Sequence, residues 1–158
     1  MRLYRIAPEQ HLSDLSGMGA SYQDGARWNR AGQPVIYMAF SPAVAMLELA
    51  NYLPNPRLVP KSYRLATFEL SEGIELDKVS LADLPGDWAD FPHPAAVQKI
   101  GGDWLSAMSN LVLSVPSSAV AGGLESIAVL NPRHTDIAKL SLSDVTSEIY
   151  NPRAFIGI

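Results

Sequence analysis

Three groups of side chains in this sequence combine recognition and reactive chemistry. The first is Asp24-Gly25-Ala26-Arg27-Trp28-Asn29-Arg30-Ala31-Gly32, which sets two guanidiniums and an indole in a glycine-flanked loop. A guanidinium offers a planar fork that matches phosphate oxygens in pairs, and an indole offers a face to a base or a cation. Such a loop suits a nucleotide. The same residues also describe a surface hairpin turn with solvated arginines.

The second group is the segment Pro42 to Leu53, apolar at nearly every position, in which Glu48 is the sole charged residue. At helical spacing Glu48 shares a side with Val44, Ala45 and Tyr52, so its carboxylate is expected to face protein or a cleft. An unpaired buried carboxylate costs several kcal/mol, so it needs a cationic or hydrogen-bonding partner. A structural ion pair or a solvent-facing helix edge satisfies that need as well as a catalytic site does. The third group is Tyr37, just ahead of that segment, with Ser117 and Ser118 after Pro116. A strand tyrosine is commonly core, and serine after proline is commonly turn chemistry.

Several motifs are absent. There is no lysine-bearing phosphate loop and no G-x-S-x-G turn, and Gly17-Met18-Gly19 lacks the strand–helix setting of a dinucleotide fingerprint. His11, His93 and His134 lie far apart without metal-ligand spacing, and each is expected to be structural or superficial.

The elements that must position these groups follow from pattern. Leu3 to Ala7 reads as a strand, His11 to Gln33 as a long polar loop, and Val35 to Phe40 as a buried strand. Ser41-Pro42 supplies an N-cap and a first-turn proline for a mostly buried helix over 42–53, which Pro54 and Pro56 end. Tyr63 to Leu70 alternates as a strand, Ser80 to Leu84 suits one helical turn, and Pro94 to Met108 reads as a helix weakened by Gly101-Gly102. Leu111 to Val115, Ser126 to Leu130 and Ile137 to Leu142 are expected to be further strands. The fold class is therefore mixed α+β with strands dominant, in one domain spanning 1–158.

Composition narrows the function. Of 158 residues 47% are hydrophobic and 18% charged, enough apolar material for a core and unlike a disordered chain. A formal net charge of −4 with twelve scattered Lys and Arg leaves no face that would track phosphates, so direct nucleic-acid binding is not expected. The absence of cysteine removes disulfides, thiolate metal sites and thiol catalysis. Glu9-Gln10-His11 interrupts the N-terminal apolar stretch too early for a signal peptide, and no run reaches membrane length, so a cytoplasmic, membrane-free protein is expected.

Taken in order, Gly25-Ala26-Arg27-Trp28-Asn29, Gly32, Val35-Ile36-Tyr37-Met38-Ala39, Ala45-Met46-Leu47-Glu48, Val115-Pro116-Ser117 and Asn131-Pro132-Arg133-His134 resemble the RES domain over most of the chain. The resemblance places the family's Arg and Glu on Arg27 and Glu48, its Tyr on Tyr37, and its Ser on Ser117 or Ser118. Ala26 stands where the family often has glycine. It implies a split, strand-rich core similar to ADP-ribosyltransferase toxins, acting on NAD as a substrate and using no separate cofactor or metal. Arg27 would hold the diphosphate, Tyr37 the nicotinamide end, and Ser117 a ribose or amide group, with Trp28 as a wall of the pocket. It further implies a toxin–antitoxin pair in which an antitoxin with an Xre-like helix-turn-helix domain covers the active site, and it admits a dimer within that complex. Hydrolysis or phosphorolysis of NAD, mono-ADP-ribosylation of a protein, and a non-catalytic nucleotide-binding module are the readings left open.

Overall fold

The computed structural model describes residues 1–53, 55, 58–151 and 153–154. Its strands are β1 (Arg2–Pro8), β2 (Ile36–Ala39), β3 (Tyr63–Leu70), β4 (Leu76–Lys78), β5 (Val112–Pro116), β6 (Ser126–Leu130) and β7 (Leu140–Thr146). They join in one sheet of order β4-β5-β6-β2-β1-β3-β7. Among the described residues, only the β4–β5 pair is parallel. Three helices, α1 (Ala20–Asp24), α2 (Pro42–Ala50) and α3 (Ala95–Ala107), complete the α+β architecture.

The pairing of β1 with β2 divides the sheet. They meet at a single register pair, Tyr4 opposite Ala39, whereas β1 and β3 stay in register from Arg2↔Glu69 to Pro8↔Tyr63. The strand-rich core is thus split into a β4-β5-β6-β2 half and a β1-β3-β7 half. Helix α2 packs on both β1 and β2 and so lies over the seam.

Period-two alternation builds a core on each face. Ile36, Met38, Ala128 and Leu130 face Leu3, Phe68 and Leu111. Ala39, Ile127, Val129, Leu113 and Val115 face Val44 and Ala45 of α2 and Val97 and Leu105 of α3. Strands covered on both sides read as continuous apolar runs, and β5 is buried along its whole length.

Local chemistry sets the ends of α2 and α3. The Ser41 hydroxyl accepts from the Val44 amide at 3.2 Å with Pro42 in the first turn, as the sequence implies. The helix stops at Ala50 and continues as turns to Leu53, while Pro54 and Pro56 lie outside the described residues. Its burial is less than expected: Val44 and Ala45 are buried, but Leu47 is 47% exposed, because only the side facing the seam is covered. In α3, Gly101 is a packing requirement rather than a weakness. A Cβ there would sit 2.0 Å from the Trp28 carbonyl oxygen, so only glycine lets helix and loop backbones touch.

Two other expectations need correction, and one strand had no counterpart in the sequence reading. Ile137 is not in a strand: Thr135–Lys139 forms a 3-10 turn, and β7 begins at Leu140. The His134 imidazole accepts from the Asp136 amide and caps that turn, while Ile137 still packs on the core, so the alternation recorded burial without strand geometry. The 11–33 stretch is not structureless, because α1 and an Ala26↔Asn29 bridge lie within it. β4 was too short and too polar to leave a periodic signal.

Candidate functional site

Each of the groups singled out above is carried by a different element, and α2 over the seam brings them together. Glu48 is half-buried on α2. Ser117, one residue past β5, is fully buried, and its hydroxyl donates to Glu48 Oε1 at 2.6 Å. The hydroxyl also accepts from the Ala119 amide at 3.2 Å, which fixes its direction. The serine holding the carboxylate is therefore Ser117. Ser118, offered as the alternative, makes no hydrogen bond to Glu48.

Arg27 lies across the same space. Glu48, Tyr52, Asp90 and Tyr37 all act electrostatically on its guanidinium, while burial, the largest influence, pulls its pKa down. An arginine keeps its charge regardless. Nη1 donates to the Trp88 carbonyl and, at 3.0 Å, to the Asp90 carbonyl. Among the described residues Nη2 and Nε make no hydrogen bond, and no ion pair within 4.0 Å joins Arg27 to Glu48. The two opposite charges feel each other across a gap.

Tyr37 sits on β2 with an enclosed hydroxyl. It donates to Asn29 Oδ1 at 2.8 Å and accepts from the Trp28 amide at 3.1 Å. Burial, first among the causes, pushes the phenol far above its ordinary value. Asn29 is fully buried and also donates to the Ser21 and Arg30 carbonyls at 2.7 and 3.0 Å. Gln98 of α3 donates to the Ala26 carbonyl at 3.0 Å. The loop holding Arg27 is thereby pinned from below by β2 and from the side by α3.

Trp28 does not line a pocket. It is 1% exposed and packs in the core between α3 and the sheet, because its backbone is pressed against Gly101. Of the three histidines, His11 is exposed and His134 caps a turn. His93 lies beside Arg27, and burial followed by that guanidinium lowers its pKa, which favours neutral imidazole. Gln98 was not singled out from sequence, while Asn29 was noted there only as a member of the loop and Gly101 only as weakening a helix. The paired glycines inside a helix were the available signal, since they mark close backbone approach. A cavity of about 270 Å³ beside Lys78 and Leu124 is lined by Pro116 but by none of the residues described here as reactive.

The RES domain matches residues 2–150. The chain belongs to the RES-domain family. Among its relatives, a Toxin Res of Yersinia enterocolitica is 36% identical over 160 residues, covering 97% of this chain and 99% of that toxin. A Toxin Res of Pseudomonas putida is 36% identical over 154 residues, covering 94% and 97%. The Prs ADP-ribosylating toxin of a Sphingobium species is 30% identical over 155 residues, covering 95% and 94%. The fold is similar to a chain in the crystal structure of the M. tuberculosis MbcT–MbcA toxin–antitoxin complex, with TM-score 0.68, 21% identity, and coverage of 92% and 82%. The RES-domain resemblance seen in the sequence motifs thus holds for nearly the full chain. No helix among the described residues is long and apolar enough to cross a membrane.

Proposed function

We propose that this RES-domain protein is the toxin of a toxin–antitoxin pair and cleaves the bond between nicotinamide and ribose in NAD. The observation that carries the reading is the Glu48 carboxylate, oriented by the buried Ser117 hydroxyl and near enough to the Arg27 guanidinium to act on it electrostatically. In the reaction the C1′–N bond breaks and its electron pair returns to the pyridinium nitrogen, so nicotinamide leaves neutral and requires no acid. Positive charge develops on the ribose C1′. An oxygen of water, phosphate or a protein side chain then bonds there and releases its proton.

A single fixed carboxylate next to C1′ stabilises that charge, more strongly in the transition state than before it. Arg27 suits the diphosphate because its fork binds two oxygens while Nη1 stays anchored on the Trp88 and Asp90 carbonyls. Ser117 and Tyr37 hold other groups in place, since their hydroxyls are already engaged by protein.

Replacing Glu48 with Gln keeps the shape and removes the charge. Nicotinamide release by a folded Glu48→Gln protein is expected to fall by more than about a hundredfold. An unchanged rate would refute the assignment.

ADP-ribosylation of a protein is the second reading, favoured by the name of the Sphingobium relative. Incubation with ribose-labelled NAD in phosphate buffer separates the two: label in small molecules supports depletion, and label in protein supports transfer. NAD binding without turnover would instead indicate a silent binding module. An antitoxin partner is supported by the toxin–antitoxin complex in which the similar fold occurs. A helix-turn-helix domain in that partner would supply the basic DNA contacts that an acidic chain lacks. Co-expression of a neighbouring small open reading frame, scored for rescue of growth, tests the pairing.

A further inference from the structure

Tyr52 has no packing role that accounts for it. It lies one helical turn beyond Glu48, in the turn where its amide bonds the Leu49 carbonyl at 3.0 Å, so the two side chains project from the same side of α2. Its ring is 74% exposed. The phenol pKa is raised, first by partial desolvation and then by Glu48, while Arg27 opposes the rise. An exposed ring one turn from Glu48 is open to whatever ligand the carboxylate touches. Beyond Arg27, the segment tied down through the Trp88 and Asp90 carbonyls presents a second exposed ring, Phe91, edge-on to His93 at 5.3 Å. Isolated exposed aromatics are ordinary; these two belong to the turn after Glu48 and to the segment that anchors Arg27.

We propose that Tyr52 is the surface on which the nicotinamide ring of the substrate stacks. The assignment rests on the reading of NAD as substrate. It follows from placement: the ring bonded to the ribose that Glu48 touches must lie within a turn of Glu48, and Tyr52 is the open aromatic face there. Tyr37, on β2, has its hydroxyl committed to Asn29 and the Trp28 amide, and Tyr150 has its hydroxyl on the Met46 carbonyl. The charge of the ligand also fits. A pyridinium cation is attracted to the face of a phenol ring, and the neutral nicotinamide that leaves is not. Tyr52 therefore holds substrate better than product, and part of its grip is lost as charge moves to the ribose.

The test is nicotinamide release across NAD concentrations by the wild type, Tyr52→Phe and Tyr52→Ala, all checked for folding by circular dichroism. Because the side chain stands mostly in solvent, both variants should fold. Tyr52→Ala is expected to raise KM about tenfold with kcat within about threefold, and Tyr52→Phe to keep KM within about twofold. An unchanged KM in Tyr52→Ala overturns the proposal, as does a Tyr52→Phe protein as impaired as Tyr52→Ala. Calorimetric titration of NAD is the second arm. If the wild type releases no nicotinamide, the cleavage reading falls; weaker NAD binding by Tyr52→Ala would still support the platform, and equal binding would overturn it.

Discussion

Ser117 and Glu48 are 69 residues apart in sequence, yet the serine hydroxyl donates to the carboxylate at 2.6 Å. The bond joins the residue after β5 to the last turn of α2, which packs on both halves of the sheet. It fixes the position of the Glu48 carboxylate. Ser117→Ala should lower kcat for nicotinamide release by roughly ten- to a hundredfold while KM changes little, the range expected when a charge-assisted hydrogen bond is removed. Steady-state kinetics with a melting curve for the variant checks it; a rise in KM alone would argue against an orienting role.

Arg27 serves two masters, the carbonyls of Trp88 and Asp90 on one side and the space facing Glu48 on the other. A lysine keeps the charge but cannot make the fork. Arg27→Lys is expected to raise KM for NAD about tenfold and to loosen the 88–91 segment. Limited chymotrypsin digestion reads the second effect, because Phe91, 81% exposed, becomes easier to cleave when its neighbours lose their anchor.

Gly101 and Gly102 make a paired test of packing. A Cβ on Gly101 would meet the Trp28 backbone, whereas on Gly102 it would meet the tip of the Gln33 side chain at 2.8 Å. Backbone has nowhere to go and a flexible side chain does. Gly101→Ala should cost about 3 kcal/mol or more, and Gly102→Ala clearly less, as measured by denaturant unfolding. Because the clash falls on Trp28, the residue next to Arg27, the Gly101 variant should also lose NAD binding before it loses secondary structure.

Asp77 provides a pH test remote from the reaction. Its carboxylate accepts from Trp104 Nε1 at 2.7 Å, Asn110 Nδ2 at 3.0 Å and Ser109 Oγ at 3.1 Å. The Trp104 bond is the leading cause that holds its pKa below the ordinary 3.8. A carboxyl with a depressed folded-state pKa contributes stability above its unfolded value, and that contribution is lost as pH falls through the folded one. Asp77→Asn should therefore be less stable than the wild type at pH 7, with the gap narrowing below pH 3.8. Melting temperatures across an acid series measure it, and a constant gap would remove the ionised carboxylate from the account.

Local signals were readable along the chain because they act over a few residues. Ser41-Pro42 announced α2, the alternation of Tyr63 to Leu70 announced β3, and the Arg27, Tyr37 and Glu48 motifs announced the family. Signals failed where burial and backbone geometry part company. Ile137 packs on the core from a 3-10 turn, and the indole of Trp28 turns inward because Gly101 draws its backbone against α3.

By itself the sequence determined an α+β chain and the residue types available for chemistry, since capping, alternation and ionisation belong to short segments or single side chains. Only the tertiary structure decided that Ser117 rather than Ser118 holds Glu48, that Tyr37 is committed to Asn29, and that Tyr52 stands open beside the charged groups. Those relationships depend on strand order and on where α2 crosses the seam. Both are set by the burial of two faces of one sheet, a property of the whole chain that no local stretch encodes.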